Sequence, residues 1–318
     1  MTFGCHDPRC HVRAGARGRG GSASVTVSDM RTRADVLVTA TELMALIESG
    51  DAPAVLDVRW QLNEPDGRPA YLQGHIPGAV YVSLDDDLAD HTRTGRGRHP
   101  LPSGGAVQAA ARCWGLREGQ PVVVYDDWNR AGSARAWWVL TAAGIPGVRI
   151  LDGGLAAWKA VGGTLDAGPV IREPGDVTIP FDNLYAGGLP TLTPQELLDT
   201  PVVIDARAPE RFRGDAEPVD AVAGHVPGAR NLPSTSLLSD DGTFRSDTEL
   251  AHRFQVQGIG YADSHDDGAR PGVYCGSGVT AAVVVAALAA AGHDAGLFPG
   301  SWSQWSSDPT LPVARGDE

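Results

Sequence analysis

Apolar positions along the chain fall into short blocks that switch between strand-like and helix-like patterns, and they do so twice. The block VYCGSGVTAAVVVAALAAAG at Val273–Gly292 is the most informative. It reads as the end of a buried strand (Val273, Tyr274), a loop of small residues, and an Ala/Val helix stopped by Gly292. Val283 to Val285 alone would favour a strand. The flanking alanines and the length of the block decide for a helix.

The same order of patterns occurs earlier in the chain. LDVR at Leu56–Arg59 recurs as IDAR at Ile204–Arg207, GHIPGA at Gly74–Ala79 as GHVPGA at Gly224–Ala229, and VVVYD at Val122–Asp126 as PGVYC at Pro271–Cys275. All three pairs are separated by about 150 residues, which marks a duplicated domain. A fourth pair, GGLAAW at Gly153–Trp158 and GSWSQW at Gly300–Trp305, closes each copy. Each half thus runs helix (Thr41–Glu48; Thr193–Asp199), strand, His-x-Pro-Gly turn, helices, strand, loop, helix and a Gly/Trp turn. Strands alternating with helices predict an α/β fold with a mostly parallel sheet flanked by helices in each half.

The expected boundaries are a disordered extension over 1–34, a first domain over 35–161, a linker over 162–192 and a second domain over 193–318. The extension is Gly- and Arg-rich and lacks a hydrophobic period and a secretory apolar core. Its CHDPRCH cluster, Cys5–His11, has zinc-ligand residue types, but the spacing is cramped and no second ligand pair follows. No metal site is therefore expected. The linker is rich in Gly, Pro and Asp.

Charge and composition narrow the function. The 318 residues suit two domains, 42% are apolar, and no apolar run approaches a membrane span. A formal net charge of −13 argues against a nucleic-acid surface. The four cysteines, Cys5, Cys10, Cys113 and Cys275, are too few and scattered for a disulfide framework, so a reducing, cytoplasmic setting is expected.

Cys275 stands where a strand hands over to a helix. There the backbone N–H groups of Gly276 to Thr280 can curl around its sulfur, and the helix N-terminus adds partial positive charge. Both favour the thiolate, which is the nucleophile. Gly276 and Gly278 leave room for a ligand, and Ser277 and Thr280 add hydroxyl groups. A cysteine phosphatase would share the strand, loop and helix, but it needs an arginine at the sixth position after the cysteine. That position is Ala281. A non-catalytic sulfur carrier is the other alternative, because fold does not fix function.

CGSGVTA at Cys275–Ala281 resembles the active-site loop of the rhodanese superfamily, and its C-G-S-G-V-T form is similar to the 3-mercaptopyruvate sulfurtransferase branch. The thiosulfate branch usually carries basic residues after the cysteine. The twice-occurring DxR, G-H-x-P-G-A and closing Trp turn extend the resemblance over residues 36 to 314. It implies two tandem rhodanese-like domains and transfer of a sulfane sulfur through a Cys275 persulfide. The donor would be a small anion, 3-mercaptopyruvate or thiosulfate, and the acceptor a thiol, thioredoxin or cyanide. No organic cofactor, nucleic acid or membrane is implied.

Asp126 occupies the Cys275 position in the first copy and cannot accept sulfur, so that half is expected to be catalytically silent and to wall a cleft. The resemblance also suggests that a histidine of the first domain faces the active site. His75, oriented by Asp66 and working with Ser277, is the expected relay. The substrate-binding arginine maps to Arg211 in ERFRG, with Glu210 in place of the usual glycine. Gly276, Gly278, Val279 and Thr280 complete the expected donor site. In the mercaptopyruvate branch a second arginine follows a Glu-Pro pair. Here Glu217 and Pro218 are followed by Val219 and Asp220.

Overall fold

The computed structural model describes residues 31–260 and 270–317. The Cys5–His11 cluster lies outside the described residues. Among the described residues nine short strands form two sheets, every ladder in them parallel. The first contains β1 (Leu37–Val38), β2 (Ala54–Asp57), β3 (Val80–Tyr81), β4 (Val122–Tyr125) and β5 (Val148–Leu151), in the order β1-β5-β4-β2-β3. The second contains β6 (Val203–Asp205), β7 (Arg230–Asn231), β8 (Gly272–Tyr274) and β9 (Gly296–Leu297), in the order β7-β6-β8-β9. Dropping β1 makes the two orders identical. The duplication in sequence is thus a duplication in topology.

Strand side chains alternate between two buried faces. In β4, Val122 and Val124 join a core shared by both halves, while Val123 and Tyr125 face the outer core of their own half. In β8, Val273 and Tyr274 divide in the same way. Burial on both faces is the usual setting of a parallel sheet.

The helix Ala281–Ala290 is buried along its whole length. One side packs on β8 and β9, and another meets the first-half helix Ala131–Ala142, itself nearly all buried. A helix without a polar face belongs inside a large core. Here the halves meet through these two helices, and one apolar cluster runs through the junction. Arg33 ties the same junction from outside, donating to Asp152 of the first half and to Phe244 O, Arg245 O and Asp247 of the second.

The stretch 162–192 packs onto both sheets. Asp166 exchanges backbone hydrogen bonds with His75, and Leu192 N donates to Leu297 O. The C-terminal tail repeats the first contact, since Ala314 pairs in the same way with His225.

Each DxR motif is a buried strut. Arg59 donates to Asp57 and to Gly74 O, and Arg207 donates to Asp205 and to Gly224 O, which fixes each His-x-Pro-Gly turn against its strand. Trp302 and Trp305 are buried in the outer core of the second half, their indole N–H groups donating to Val222 O and Pro312 O.

Candidate active site

Cys275 follows the last residue of β8, at the carboxyl end of the sheet where open α/β folds place ligands. Its backbone is held on both sides: Cys275 N donates to Ser301 Oγ at 3.1 Å, and Cys275 O accepts from Trp302 N at 2.9 Å. The loop amide that reaches the sulfur is that of Gly278, at 3.1 Å. This donor exists because Gly278 has φ +78°, a left-handed conformation that turns its N–H back toward Sγ. Ser301 Oγ lies 4.0 Å from the sulfur on the far side.

The first half supplies further polar groups. Arg135, on the helix Ala131–Ala142, is completely buried and donates to Leu88 O, His99 O and Gly278 O at 3.0, 2.9 and 3.3 Å. Burial pushes its guanidinium down to about 10, with Tyr185 and then Cys275 opposing that shift. It stays charged at neutral pH, a fixed cation beside the nucleophile with no carboxylate among its hydrogen-bond partners.

Ser277 Oγ lies 2.8 Å from Nδ1 of His99, and Nε2 of His99 lies 3.4 Å from Asp85 Oδ1. Burial holds the His99 imidazole below its ordinary pKa and the Arg135 charge adds to the effect, with Asp85 opposing both. The His99 contact, first among the causes, holds the Asp85 carboxyl below the usual carboxylate range. A neutral imidazole between a hydroxyl and a carboxylate has the order of groups needed to accept and return a proton.

This arrangement corrects the expectation for His75 and Asp66. The His75 ring is buried in its own half, with Nδ1 3.0 Å from Tyr71 O and the ring stacked on Tyr71 at 4.2 Å. His225 repeats the arrangement on Phe212. The shared turn thus uses both histidines as packing pieces. Asp66 caps a local turn, accepting from Arg68 N and from the Tyr81 hydroxyl. His99 lies instead on a segment of the first half that reaches across to the second, where Arg98 N donates to Ser303 Oγ. A signal was available: RHPLP at Arg98–Pro102 has no counterpart in the second copy.

Val279 is also corrected, since its side chain belongs to the shared core rather than to a donor pocket. Thr280 is the N-cap of the helix Ala281–Ala290 and makes no side-chain cap. Arg211 does reach the loop: a β-carbon placed on Gly276 would lie 3.4 Å from its Nη1, and 3.1 Å from Nη2 of Arg98. Sequence reasoning missed Arg98, Arg135, His99 and Asp85, all of them from the first half.

At the corresponding loop of the first half, Asp126 is fully engaged. It accepts from Ser133 Oγ at 2.6 Å and from Ser133 N at 3.0 Å, and it forms an ion pair with Arg130, whose Nη2 lies 2.8 Å away. Arg130 fills the space that a ligand would need: a β-carbon on Gly154, the residue opposite Ser301 in the repeat, would fall 1.8 Å from its Nη1.

Comparison with known proteins gives concordant matches. The family model described as a Rhodanese-like domain matches residues 39–161 and again 193–308. A Mycobacterium tuberculosis protein assigned as the thiosulfate sulfurtransferase SseB is 62% identical over 288 residues, covering 90% of this chain and 99% of its own length. A Pseudomonas aeruginosa protein assigned as a 3-mercaptopyruvate sulfurtransferase is 43% identical over 289 residues, covering 88% and 98%. Among solved structures, the 3-mercaptopyruvate sulfurtransferase SseA of Escherichia coli superposes with a TM-score of 0.71 at 33% identity, covering 84% of this chain and 98% of that one.

Proposed function

The chain belongs to the rhodanese family of sulfurtransferases, and from that premise we propose that Cys275 carries the sulfur and that the donor is 3-mercaptopyruvate. Cys275 as thiolate attacks the donor's thiol sulfur. A sulfur–sulfur bond forms, the sulfur–carbon bond breaks, and its electron pair leaves with the three-carbon fragment as the enolate of pyruvate. The thiol proton must then move to the enolate carbon. Ser277 and His99 carry it: the hydroxyl takes the proton as it passes its own to the neutral imidazole, then gives a proton to carbon as the imidazolium hands its proton back to Ser277. Products are pyruvate and an anionic persulfide on Cys275, so atoms and charge balance.

In the second stage the acceptor thiol passes its proton to the persulfide, the acceptor thiolate so formed attacks the outer sulfur, and Cys275 leaves as thiolate. The Gly278 N–H and the buried Arg135 favour negative charge on sulfur at the start and end of the cycle. The first half is read as silent in sulfur transfer but as a contributor of Asp85, His99 and Arg135.

One observation carries the choice of donor, the 2.8 Å contact between Ser277 and His99. Release of sulfite from thiosulfate breaks a sulfur–sulfur bond and moves no proton, so a buried relay has no work there. The name of the Mycobacterium tuberculosis relative favours thiosulfate as a second reading. Steady-state kcat/KM for both donors on one preparation separates the two, with mass spectrometry of donor-treated protein. The reading expects a preference of about tenfold or more for 3-mercaptopyruvate, which is roughly 1.4 kcal/mol, and one added sulfur on the Cys275 peptide that Cys275→Ser abolishes. A persulfide on Cys113, or a preference for thiosulfate, overturns it.

A further inference from the structure

Two guanidinium nitrogens from different halves converge beside the nucleophile. Nη2 of Arg98 and Nη1 of Arg211 both approach the position of a β-carbon on Gly276, at 3.1 and 3.4 Å. Neither nitrogen is engaged by an acceptor among the described residues. Arg98 spends Nη1 on Asp220, and Arg211 spends Nε and Nη2 on Glu217 and Asp220. Nε of Arg98 is buried without a partner.

Asp220 makes this convergence possible. Its Oδ1 receives Arg98 and its Oδ2 receives Arg211, so one carboxylate, whose side chain is 7% exposed, holds two cations side by side. Like charges at such close range repel unless an anion lies between them. Asp220 follows the Glu217-Pro218 pair closely, in the stretch where sequences of the mercaptopyruvate branch carry a second arginine. This chain has the opposite charge there, and the cation comes from the other half.

We propose that Arg98 is the second anion-binding arginine of the donor site, and that with Arg211 it forms a two-pronged receptor for the carboxylate of a 2-oxo acid. A planar carboxylate presents two oxygens, one to each free Nη, and each charge-assisted contact fixes one end of the donor. The receptor exists only when the halves are packed together, because its prongs come from both. Charge also selects the donor. Three guanidinium groups (Arg98, Arg207, Arg211) are joined there to three carboxylates (Asp205, Glu217, Asp220), so the cluster is formally neutral before the donor arrives. A donor with one negative charge suits such a mouth better than a dianion. The inference rests on the 3-mercaptopyruvate reading and assigns the side chains that would enforce it.

Arg98→Gln, Arg211→Gln and Asp220→Asn, assayed with 3-mercaptopyruvate and with thiosulfate, test it. Arg98→Gln is expected to raise KM for 3-mercaptopyruvate about tenfold or more with kcat within threefold, as a lost binding contact should. Arg98→Lys should recover part of that loss. Asp220→Asn releases Arg98 and removes one negative charge, so the kcat/KM ratio of thiosulfate to 3-mercaptopyruvate should rise about tenfold or more. An Arg98→Gln enzyme with KM within twofold of wild type, beside an Arg211→Gln enzyme that is impaired, would show a single-arginine site and overturn the proposal. Should wild type prefer thiosulfate, the donor reading fails by itself, and a KM effect of Arg98→Gln on thiosulfate would keep Arg98 in the site.

Discussion

Substituting Gly278 by alanine should separate the geometry of the loop from its composition. Gly278 has φ +78°, where an L residue costs roughly 1–2 kcal/mol. A β-carbon there would lie 2.3 Å from Pro299 O, a backbone atom that cannot swing aside. Relief therefore requires the loop itself to shift, on the order of 1 Å, and a shift of that size breaks an N–H contact to sulfur. The contact at risk is the 3.1 Å approach of Gly278 N to Cys275 Sγ, and Gly278 O also accepts from Arg135. Loss of one hydrogen bond to a charged group is worth about 1.5–3 kcal/mol, so the rate of Cys275 persulfide formation should fall roughly 10- to 100-fold. Single-turnover mixing of enzyme with excess donor, quenched and read as added sulfur mass, measures that rate directly. Gly276→Ala is the control: its φ is not left-handed, and the added carbon meets only the side-chain ends of Arg98 and Arg211. It should act on KM and spare the chemical step. Persulfide formation within threefold of wild type in Gly278→Ala would refute the assignment of its N–H as the stabilising donor.

Two further outcomes follow from the same geometry. His99 must be neutral to accept the Ser277 proton, and its pKa lies below the ordinary imidazole value of 6.5; kcat with 3-mercaptopyruvate should therefore hold through neutrality and fall only at pH below that value. His99→Gln should remove this acid limb and cost about 10²–10⁴ in kcat with 3-mercaptopyruvate, with a far smaller effect on thiosulfate; an equal loss on both donors would show that His99 only packs. Asp126→Asn should cost about 3–5 kcal/mol of stability by leaving the buried Arg130 without its anion, read as a lower urea midpoint, while activity per folded molecule stays within threefold. A larger loss of activity would mean that the first-half loop takes part in transfer.

What could be read from the sequence was local or repeated. A cysteine between a strand and an Ala/Val helix is a short-range pattern, and local patterns report local backbone, so the strand-to-helix handover at Cys275 follows from a few adjacent residues. The duplication was legible because each copy repeats the same buried struts, Asp57 with Arg59 and Asp205 with Arg207, at matching places. The helix Ala281–Ala290 even announced its setting, since a segment without a polar face has to be covered on every side. Which histidine serves the cysteine was a different kind of question. His75 and His99 both precede proline-containing turns of the first half, and nothing in period or composition says which ring lies against the second half. Packing decides it: the His75 turn is closed by Tyr71 of its own half and by Asp166 of the stretch that follows, whereas the segment bearing Arg98 and His99 is laid over Ser303 and Ser277. Ser277 and His99 are 178 residues apart in sequence. A contact at that separation is made by the fit of two apolar helices at the domain junction, and only the tertiary structure contains that fit.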